Sequence, residues 1–501
     1  MAVALVAAAA AAIPATAGAV PVTRCALPPA PKVNWHGCDL SNRQLHGADL
    51  SGANLSYAKF ASASLFNAVL FGADATGADF TGANLATANF TGARLNHATL
   101  AGATVVQTIL SGASLIGVAS GGLLGRPSVM PGRYFVKGGL LFGPGVNLSG
   151  QSMRGFDLTR ANLSRADLSD ADLSHTDLSH TSLSGTNLVG ATLTSATITD
   201  TGFHDARLYA PNKQGVTSGG LAGHPRKLPA GFMLSGGYLV GPGANLFKAN
   251  LTHAYLPNIN LTGANLNAAN FAYSVLWGAE FSVTAMGFTG FAHASLRGAN
   301  FSHEVLKTAL LRSAILTGVR SSAVISGPLP PGWVNVTGHL VGPGANLTGA
   351  DLAGGSFGRA VLTSALLTGA NLTGASMAQA RLARSITGRI IVAGTSPTLP
   401  RGWQLLRGFL LGPGADLAGA RLANAQLSSA NLGAALLIGT VLQNANLSHA
   451  NLSRAELVGV NLQHADLAHA ALGGTLSSGL IGRPLALPPH WSIVAGRLVR
   501  G

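Results

Sequence analysis

The chain has 501 residues, of which 47% are hydrophobic and only 10% are charged, and its formal net charge is +14. A charged fraction far below the ordinary ~25% of globular proteins excludes a disordered polyelectrolyte, which needs high charge and low hydrophobicity. No apolar run approaches the ~18 residues of a membrane-spanning helix, which excludes an integral membrane bundle. Aromatic residues make up 6% of the chain, so few large side chains are available to fill a wide globular core.

The N-terminal segment, residues 1–19, is uncharged and is predicted to be a secretory signal peptide. Its apolar stretch, residues 3–13, is too short to span a bilayer, and small residues at Ala15, Ala17 and Ala19 fit a cleavage site. No Lys or Arg precedes the apolar stretch, which leaves open an upstream translation start or a low-complexity alanine tail. The predicted localisation is secreted or in the cell envelope, after removal of the signal peptide.

The two cysteines of the chain, Cys25 and Cys38, follow the predicted cleavage site. In an oxidising compartment we expect them to form a disulfide, which would contribute ~3 kcal/mol by constraining the unfolded chain. The alternative is two free thiols in a reducing compartment. Without a CxxC motif or a second pair, the cysteines indicate neither a zinc site nor a redox site.

From Cys38 onward the sequence repeats every five residues. The centre of each pentad is Leu or Phe, usually with Ala two residues before it and often with Asp or Asn one residue before it. The period matches neither an α-helix nor a strand. Repeats that cannot bury their own apolar face stack into solenoids, so we predict a square coil of four pentads per turn, with the central residue and the Ala inside. The repeat occupies five runs, with centres from 40 to 115, 148 to 208, 246 to 316, 347 to 382 and 417 to 472.

The motif A-(D/N)-L-x-x closely resembles the signature of the pentapeptide-repeat family, and the resemblance covers roughly two thirds of the chain. It implies an all-β fold, a right-handed quadrilateral parallel β-helix. Interrupted relatives of this kind are often exported bacterial proteins without an assigned activity.

Four interruptions and the C-terminus share a second pattern. Each contains an aromatic residue in one aligned column and then an x-Gly pair between two β-prone stretches, and a Gly-Pro-Gly follows in four of the five. The x-Gly pair is typical of a β-hairpin, because Gly tolerates a positive φ in a tight turn. We therefore predict five antiparallel hairpin modules that leave the coil. The aromatic residues are Tyr134, Phe232, Trp333, Trp403 and Trp491.

The hairpins have two interpretations. They would seal the exposed strand edges of the solenoid, or their five aromatic residues would form an interaction face that stacks on sugars or on a partner. Because the five runs do not all contain a whole number of four-pentad turns, we expect the hairpins not to share one edge of the coil.

The sequence indicates no catalytic, cofactor-binding or metal-binding residues. Carboxylates such as Asp49 and Asp172 are dispersed over the position before the centre, where we expect local bonds to the backbone rather than a catalytic pair in a cleft. His253, Tyr273 and His293 are spaced by 20 residues and are predicted to stack on one face. Without a third ligand in register they indicate solvated surface side chains.

The charge balance limits the partners. Lys and Arg are dispersed without a basic run, which disfavours specific nucleic-acid binding and favours anionic cell-surface polymers or proteins. Topoisomerase-binding relatives that mimic DNA need an acidic surface, so the net positive charge disfavours that function. We interpret the chain as a non-enzymatic structural or interaction scaffold without a cofactor. Two competing hypotheses are a carbohydrate-binding or carbohydrate-active β-helix protein and an ice-binding surface of Ser and Thr rows.

These features predict twelve consecutive segments and no transmembrane segment in the mature chain. They are the signal peptide (1–19), an N-terminal segment with the disulfide (20–37), solenoid run 1 (38–117), a hairpin module (118–145), run 2 (146–210), a hairpin module (211–243), run 3 (244–318), a hairpin module (319–344), run 4 (345–384), a hairpin module (385–414), run 5 (415–474) and a C-terminal hairpin cap (475–501).

Overall fold

The computed structural model describes residues 23–208, 215–226, 228–302, 305–306, 308–322, 324–325 and 327–501. The predicted signal peptide lies outside these residues. A short 3-10 helix, Arg24–Ala26, opens the described part of the chain. No helix within the described ranges has the length and hydrophobicity needed to cross a bilayer. Cys25 and Cys38 are joined as a disulfide in the structure, with Cα atoms 5.4 Å apart, and Cys38 is buried under the first coil.

The pentads wind into coils in which a residue pairs with the residue 20 positions away. Parallel bridges join Asn34 to Asn54, Asn54 to Asp74 and Asp74 to Arg94. Since the side chain spacing is five residues, four such columns complete one turn. The predicted all-β fold, a right-handed quadrilateral parallel β-helix with hairpin modules, is confirmed.

Most of the ladder consists of single bridges, and only a few walls contain longer strands. In chain order the strands are β1 (Phe135–Lys137), β2 (Leu140–Phe142), β3 (Thr197–Thr199), β4 (Thr217–Gly219), β5 (Met233–Ser235), β6 (Tyr238–Val240), β7 (Asn300–Phe301), β8 (Val305–Leu306), β9 (Arg320–Ser321), β10 (Val324–Ile325), β11 (Val334–Val336), β12 (His339–Val341), β13 (Gln404–Leu406), β14 (Phe409–Leu411), β15 (Glu456–Val458), β16 (Leu476–Ser478), β17 (Trp491–Val494) and β18 (Arg497–Arg500). Parallel pairs within the coil are β3–β4, β7–β9, β8–β10 and β15–β16.

The core is a column of pentad centres with the Ala side chains between them. Leu40, Leu50 and Leu55 are fully buried, as are most Ala residues two positions before a centre. Where the centre is Phe, consecutive rings stack, as between Phe60 and Phe80 with centroids 5.1 Å apart. The prediction that these two positions point inward is confirmed, and each buried Leu contributes ~1.5–3 kcal/mol before conformational entropy.

Each corner is a two-residue turn, and its second residue takes a positive φ. The angle is +63° at Gly52, 57° at Tyr57 and 58° at Val283. Gly and Asn adopt this conformation most easily, which explains why the variable last position of the pentad is rich in Gly.

All five interruptions contain an antiparallel hairpin, as predicted. The pairs are β1–β2, β5–β6, β11–β12, β13–β14 and β17–β18. The coil continues further into the first interruption than the boundary at residue 118 anticipates. Thr104 pairs with Leu124 and Ile109 with Val129, and Ala119 then pairs with Asn147. The hairpin is therefore inserted within a single turn of the coil, because three walls of that turn keep normal ladder contacts.

The chain divides into two compact units with the same coil. The first comprises Met1–Gln151, Ala161–Ala171 and Ser182–Val189, and the second Ser152–Arg160, Asp172–Thr181 and Gly190–Gly501. In the second unit, β5–β6 is inserted between Thr217 and Asn245. In contrast, β11–β12 follows Arg320, which belongs to a column on the adjoining wall. The expectation that hairpins do not share one edge is confirmed within this unit.

Candidate interaction surface

The five hairpin aromatics pack against their own modules. In each module the backbone N–H of the aromatic residue donates to the carbonyl of a Pro three residues earlier, at 3.0 Å from Trp403 to Pro400. In four modules the ring covers a glycine of the Gly-Pro-Gly, and a Cβ on Gly412 would lie only 2.2 Å from Cδ2 of Trp403. The other three pairs are Tyr134 with Gly143, Phe232 with Gly241 and Trp333 with Gly342. A role of these aromatics in binding a partner stays a prediction.

The first and last modules vary this arrangement. The hydroxyl of Tyr134 donates to the carbonyl of Pro144 at 2.7 Å, and burial raises the pKa of this phenol. Trp491 packs against the apolar core of the last coils. These contacts give the aromatic column a structural role in every module.

A buried or half-buried hydroxyl holds each hairpin to the coil, which sequence analysis missed. The backbone N–H of Leu239, in the second strand of its hairpin, donates to Oγ of Ser218 at 2.9 Å. The signal was a Ser or Thr upstream of each aromatic residue, but such residues are too common in this sequence to single out. The equivalent pairs are Leu141 with Ser120, Leu340 with Ser321, Leu410 with Thr387 and Leu498 with Ser477.

The carboxylates before the pentad centres are used in local turns, as predicted. Oδ1 of Asp49 accepts from the backbone N–H of Ser51 at 3.0 Å and from its hydroxyl at 2.6 Å. The same bonds from Ser174 lower the pKa of Asp172, as those from Ser51 lower the pKa of Asp49. These side chains are solvent-exposed acceptors, and their geometry is that of a turn rather than of a catalytic pair.

Histidines in register stack along the coil. His253 and Tyr273 have ring centroids 5.2 Å apart, and Tyr273 and His293 have centroids 4.8 Å apart, with nearly parallel planes. His449 and His469 stack in the same way at 4.9 Å. Within the described ranges, no group of three or more His, Cys, Asp or Glu is arranged to hold a metal ion.

The His253–Tyr273–His293 stack borders a wall that exposes further aromatic side chains. The wall's central column contains Tyr255, Val275, Ser295 and Ile315, which follow one another at intervals of 20 residues. Trp277 lies at the opposite corner and its Nε1 donates to Oγ of Ser295 at 2.6 Å. We call this surface, from residue 252 to residue 318 on one side of the coil, the aromatic wall.

The aromatic wall is apolar and positively charged. Tyr255 is 63% exposed, Tyr273 54% and Trp277 46%. The cations are Arg297 and Arg312, both exposed at its corners, and within the described part of the chain neither lies in a salt bridge. The column and the two corners that form the wall contain no Asp or Glu.

Sequence analysis predicted the ring stack but missed the rest of this wall. Tyr255 and Trp277 occupy different positions of their pentads, so an alignment in steps of five places them in separate columns. An alignment in steps of 20 brings Tyr255 above Val275 and two residues from the column of Trp277. The relevant signal is therefore the coil period rather than the pentad period.

A nearby concavity shows polar groups that satisfy one another. Nδ2 of Asn265 donates to Oδ1 of Asn245 at 2.9 Å, and Nδ2 of Asn245 donates to Oγ1 of Thr217 at 2.7 Å. Such an amide ladder stabilises the stacking of coils. It supplies no nucleophile with an adjacent base.

Comparison with protein families gives a match to the family described as pentapeptide repeats (8 copies), over more than half of the chain. The matched residues are 34–72, 63–102, 88–119, 145–179, 171–209, 244–282, 344–383, 414–444 and 435–474. No curated protein matches the sequence.

Several solved structures are similar. The pentapeptide repeat protein Rfr23 from the cyanobacterium Cyanothece 51142 is 33% identical over 19% of this chain and 64% of that chain, less than two thirds of its length, with a TM-score of 0.18. HetL from Nostoc sp. strain PCC 7120, a pentapeptide repeat protein involved in heterocyst differentiation regulation, is 24% identical over 68% of this chain and 90% of that chain, with a TM-score of 0.13. QnrB1, a plasmid-mediated fluoroquinolone resistance protein, is 16% identical over 56% and 91%, with a TM-score of 0.14.

Proposed function

Because the chain belongs to the pentapeptide-repeat family, we propose that it is a non-enzymatic, exported scaffold that binds components of the cell surface. The observation that carries the proposal is the aromatic wall. Stability needs only the two inward positions of each pentad, yet this wall exposes Tyr255, Tyr273 and Trp277. Exposed apolar patches of this kind mark interaction sites.

Export is supported by features near the N-terminus. Residues 1–19 have the pattern of a signal peptide, and Cys25 and Cys38 lie within bonding distance. Disulfides persist in oxidising compartments, so the pair and the signal-like segment favour the same location. We propose that the mature protein resides outside the cytoplasm, in the envelope or the medium.

The charge favours this function over mimicry of DNA. Lys and Arg exceed Asp and Glu by 31 to 17, whereas a protein that occupies a DNA-binding groove presents negative charge. A positive scaffold is instead attracted to anionic polymers. This argument also supports binding to the cell surface over binding to topoisomerase.

The proposal is tested by incubating the purified mature protein with washed cell envelopes from the organism that encodes it, and with cytosolic extract immobilised at equal mass. We expect retention on the envelopes at ~0.15 M salt and much less on the cytosolic material. Equal retention on both, or none on the envelopes, would contradict it. Localisation by fractionation of the native cells is the second readout, and a purely cytosolic protein would contradict export.

A further inference from the structure

We infer that the aromatic wall binds an anionic polysaccharide, a polymer of sugars that bear carboxylate or sulfate groups. The inference deepens the proposed function, because it names the chemical class of the cell-surface component and the residues that meet it. It rests on the access to the aromatic rings, on the charge of the wall and on the pairing of its backbone.

Two aromatic rings of the wall are available for stacking. Tyr255 and Trp277 are 63% and 46% exposed, and in the described part of the chain neither has another aromatic ring stacked on it. Tyr273 is different, since His253 and His293 cover both of its faces. Tyr273 therefore stiffens one corner, while Tyr255 and Trp277 present apolar surface on which the C–H face of a sugar ring can lie.

The fixed charges select an anionic polymer. Arg297 follows Trp277 by one turn of the coil, and Arg312 lies at the corner next to the ring stack. Their guanidinium groups can bind carboxylate or sulfate oxygens in a bidentate manner. His253 and His293 add positive charge when protonated, and the nearest carboxylate in sequence, Glu280, faces the adjoining wall and accepts from Asn300 and Ser282.

The backbone of the wall is closed to the usual modes of peptide binding. The N–H of Val275 donates to the carbonyl of Ala254 at 2.8 Å, and the N–H of Leu276 donates to that of Ser295 at 2.8 Å. No strand edge is therefore free for β-augmentation at this position, and a wall of single-residue rows has no groove for an amphipathic helix. A flat row of rings and cations with a spacing of ~4.8 Å between coils instead suits an extended polymer of repeating sugars.

The test measures binding of polygalacturonate to the purified mature protein by titration calorimetry at ~0.1 M salt. Poly-L-glutamate at equal charge is the non-sugar probe, and fully methyl-esterified pectin is the neutral sugar probe. We expect polygalacturonate to bind more tightly than either. A Tyr255→Asn, Trp277→Ser double variant should weaken that binding about tenfold or more, and an Arg297→Ser, Arg312→Ser double variant should remove the preference over the neutral pectin.

The substitutions place residues that the repeat already uses at these positions, such as Asn260 and Ser282, so the variants should keep the coil and its circular dichroism spectrum. Tyr57→Asn is the matched control, because Tyr57 is an exposed aromatic residue, 62% accessible, on the other unit. It should bind as the parent protein does.

Absence of binding to polygalacturonate, or equal binding of poly-L-glutamate with no effect of the aromatic variant, would overturn the inference. In the latter case the surface is a general anion or acidic-peptide site. The same variants are then tested for retention on cell envelopes. If the parent protein is retained and the aromatic variant is retained equally, only this inference fails, whereas loss of retention by the parent protein itself contradicts the proposed function.

Discussion

At the scale of single residues, the structure separates two kinds of glycine. Gly412 lies under the ring of Trp403, where a side chain would overlap the indole. Gly473 has open space around its Cα and no positive φ. The first is required by packing, and the second only occupies a corner that other residues fill elsewhere.

We predict that Gly412→Ala destabilises the protein by ~1–3 kcal/mol, since the added methyl must displace Trp403 or the backbone. Gly473→Ala should change the free energy of unfolding by less than ~0.5 kcal/mol. Urea denaturation followed by tryptophan fluorescence measures both. Equal effects of the two substitutions would contradict the stacking of the aromatic ring on the glycine.

A second prediction concerns backbone strain at Val283. This β-branched residue has a φ of 58° and is 72% exposed, so it gains little from packing in a conformation that L-residues avoid. Val283→Asn should stabilise the protein by about 0.5–1 kcal/mol, because Asn tolerates this region.

The reciprocal change at the same corner is the control. Gly263 has a φ of +71° with no atom within 4 Å of a built Cβ, so Gly263→Val tests strain without steric overlap. It should lower stability by ~1–2 kcal/mol. A neutral result for both variants in thermal melts would show that the corners relax at no cost.

At the scale of elements, each hairpin is tied to the coil by one hydroxyl and one turn. Ser218→Ala leaves the N–H of Leu239 without its acceptor in a buried position, and it should cost ~1–3 kcal/mol. Hydrogen exchange at the amide of Leu239 should accelerate while exchange in the coil core is unchanged. Ser111→Ala, at an exposed corner, is the control, and equal exchange at Leu239 in both variants would refute the anchor.

The turns of the coil predict sensitivity to acid. Hydrogen bonds from Ser41, Ser51 and Ser174 lower the pKa values of Asp39, Asp49 and Asp172. A carboxylate with a lowered pKa in the folded state stabilises the fold above its unfolded pKa, and this contribution is lost as the pH falls through the folded value. Stability should therefore decrease below about pH 4.

The matched variant replaces these three residues by Asn, which keeps the acceptor oxygen, as Asn54 does for Ser56. Its melting temperature should fall less between pH 7 and pH 3 than that of the parent protein. An identical fall would show that other groups cause the acid sensitivity.

At the scale of the whole molecule, the period of five predicted the fold and the hairpins, because a leucine in every pentad can be buried only if the pentads stack. It could not predict the aromatic wall, since Tyr255 and Trp277 become neighbours only through the 20-residue turn of the coil. It also could not predict the hydroxyl anchors. Ser218 resembles many surface serines until the hairpin folds back onto it.

We predict that the coil tolerates deletions that keep its register. Removal of residues 421–440 places Val441 where Arg421 was, because these two residues are one turn apart. Removal of 421–438 leaves two extra residues and turns the following leucines away from the core. The first variant should melt cooperatively near the parent temperature, and the second should lose cooperativity or become sensitive to protease. Similar behaviour of both would contradict a core set by register.

Pairing over 20 residues also shapes how the protein acquires its structure. A segment such as Leu417 to Leu437 can dock as soon as its predecessor is in place, since the hydrogen bonds that it needs come from the neighbouring turn. Contacts this close in sequence favour rapid folding. A polypeptide threaded through a narrow channel could therefore assemble progressively from its leading end, and each finished turn would serve as the template for the next.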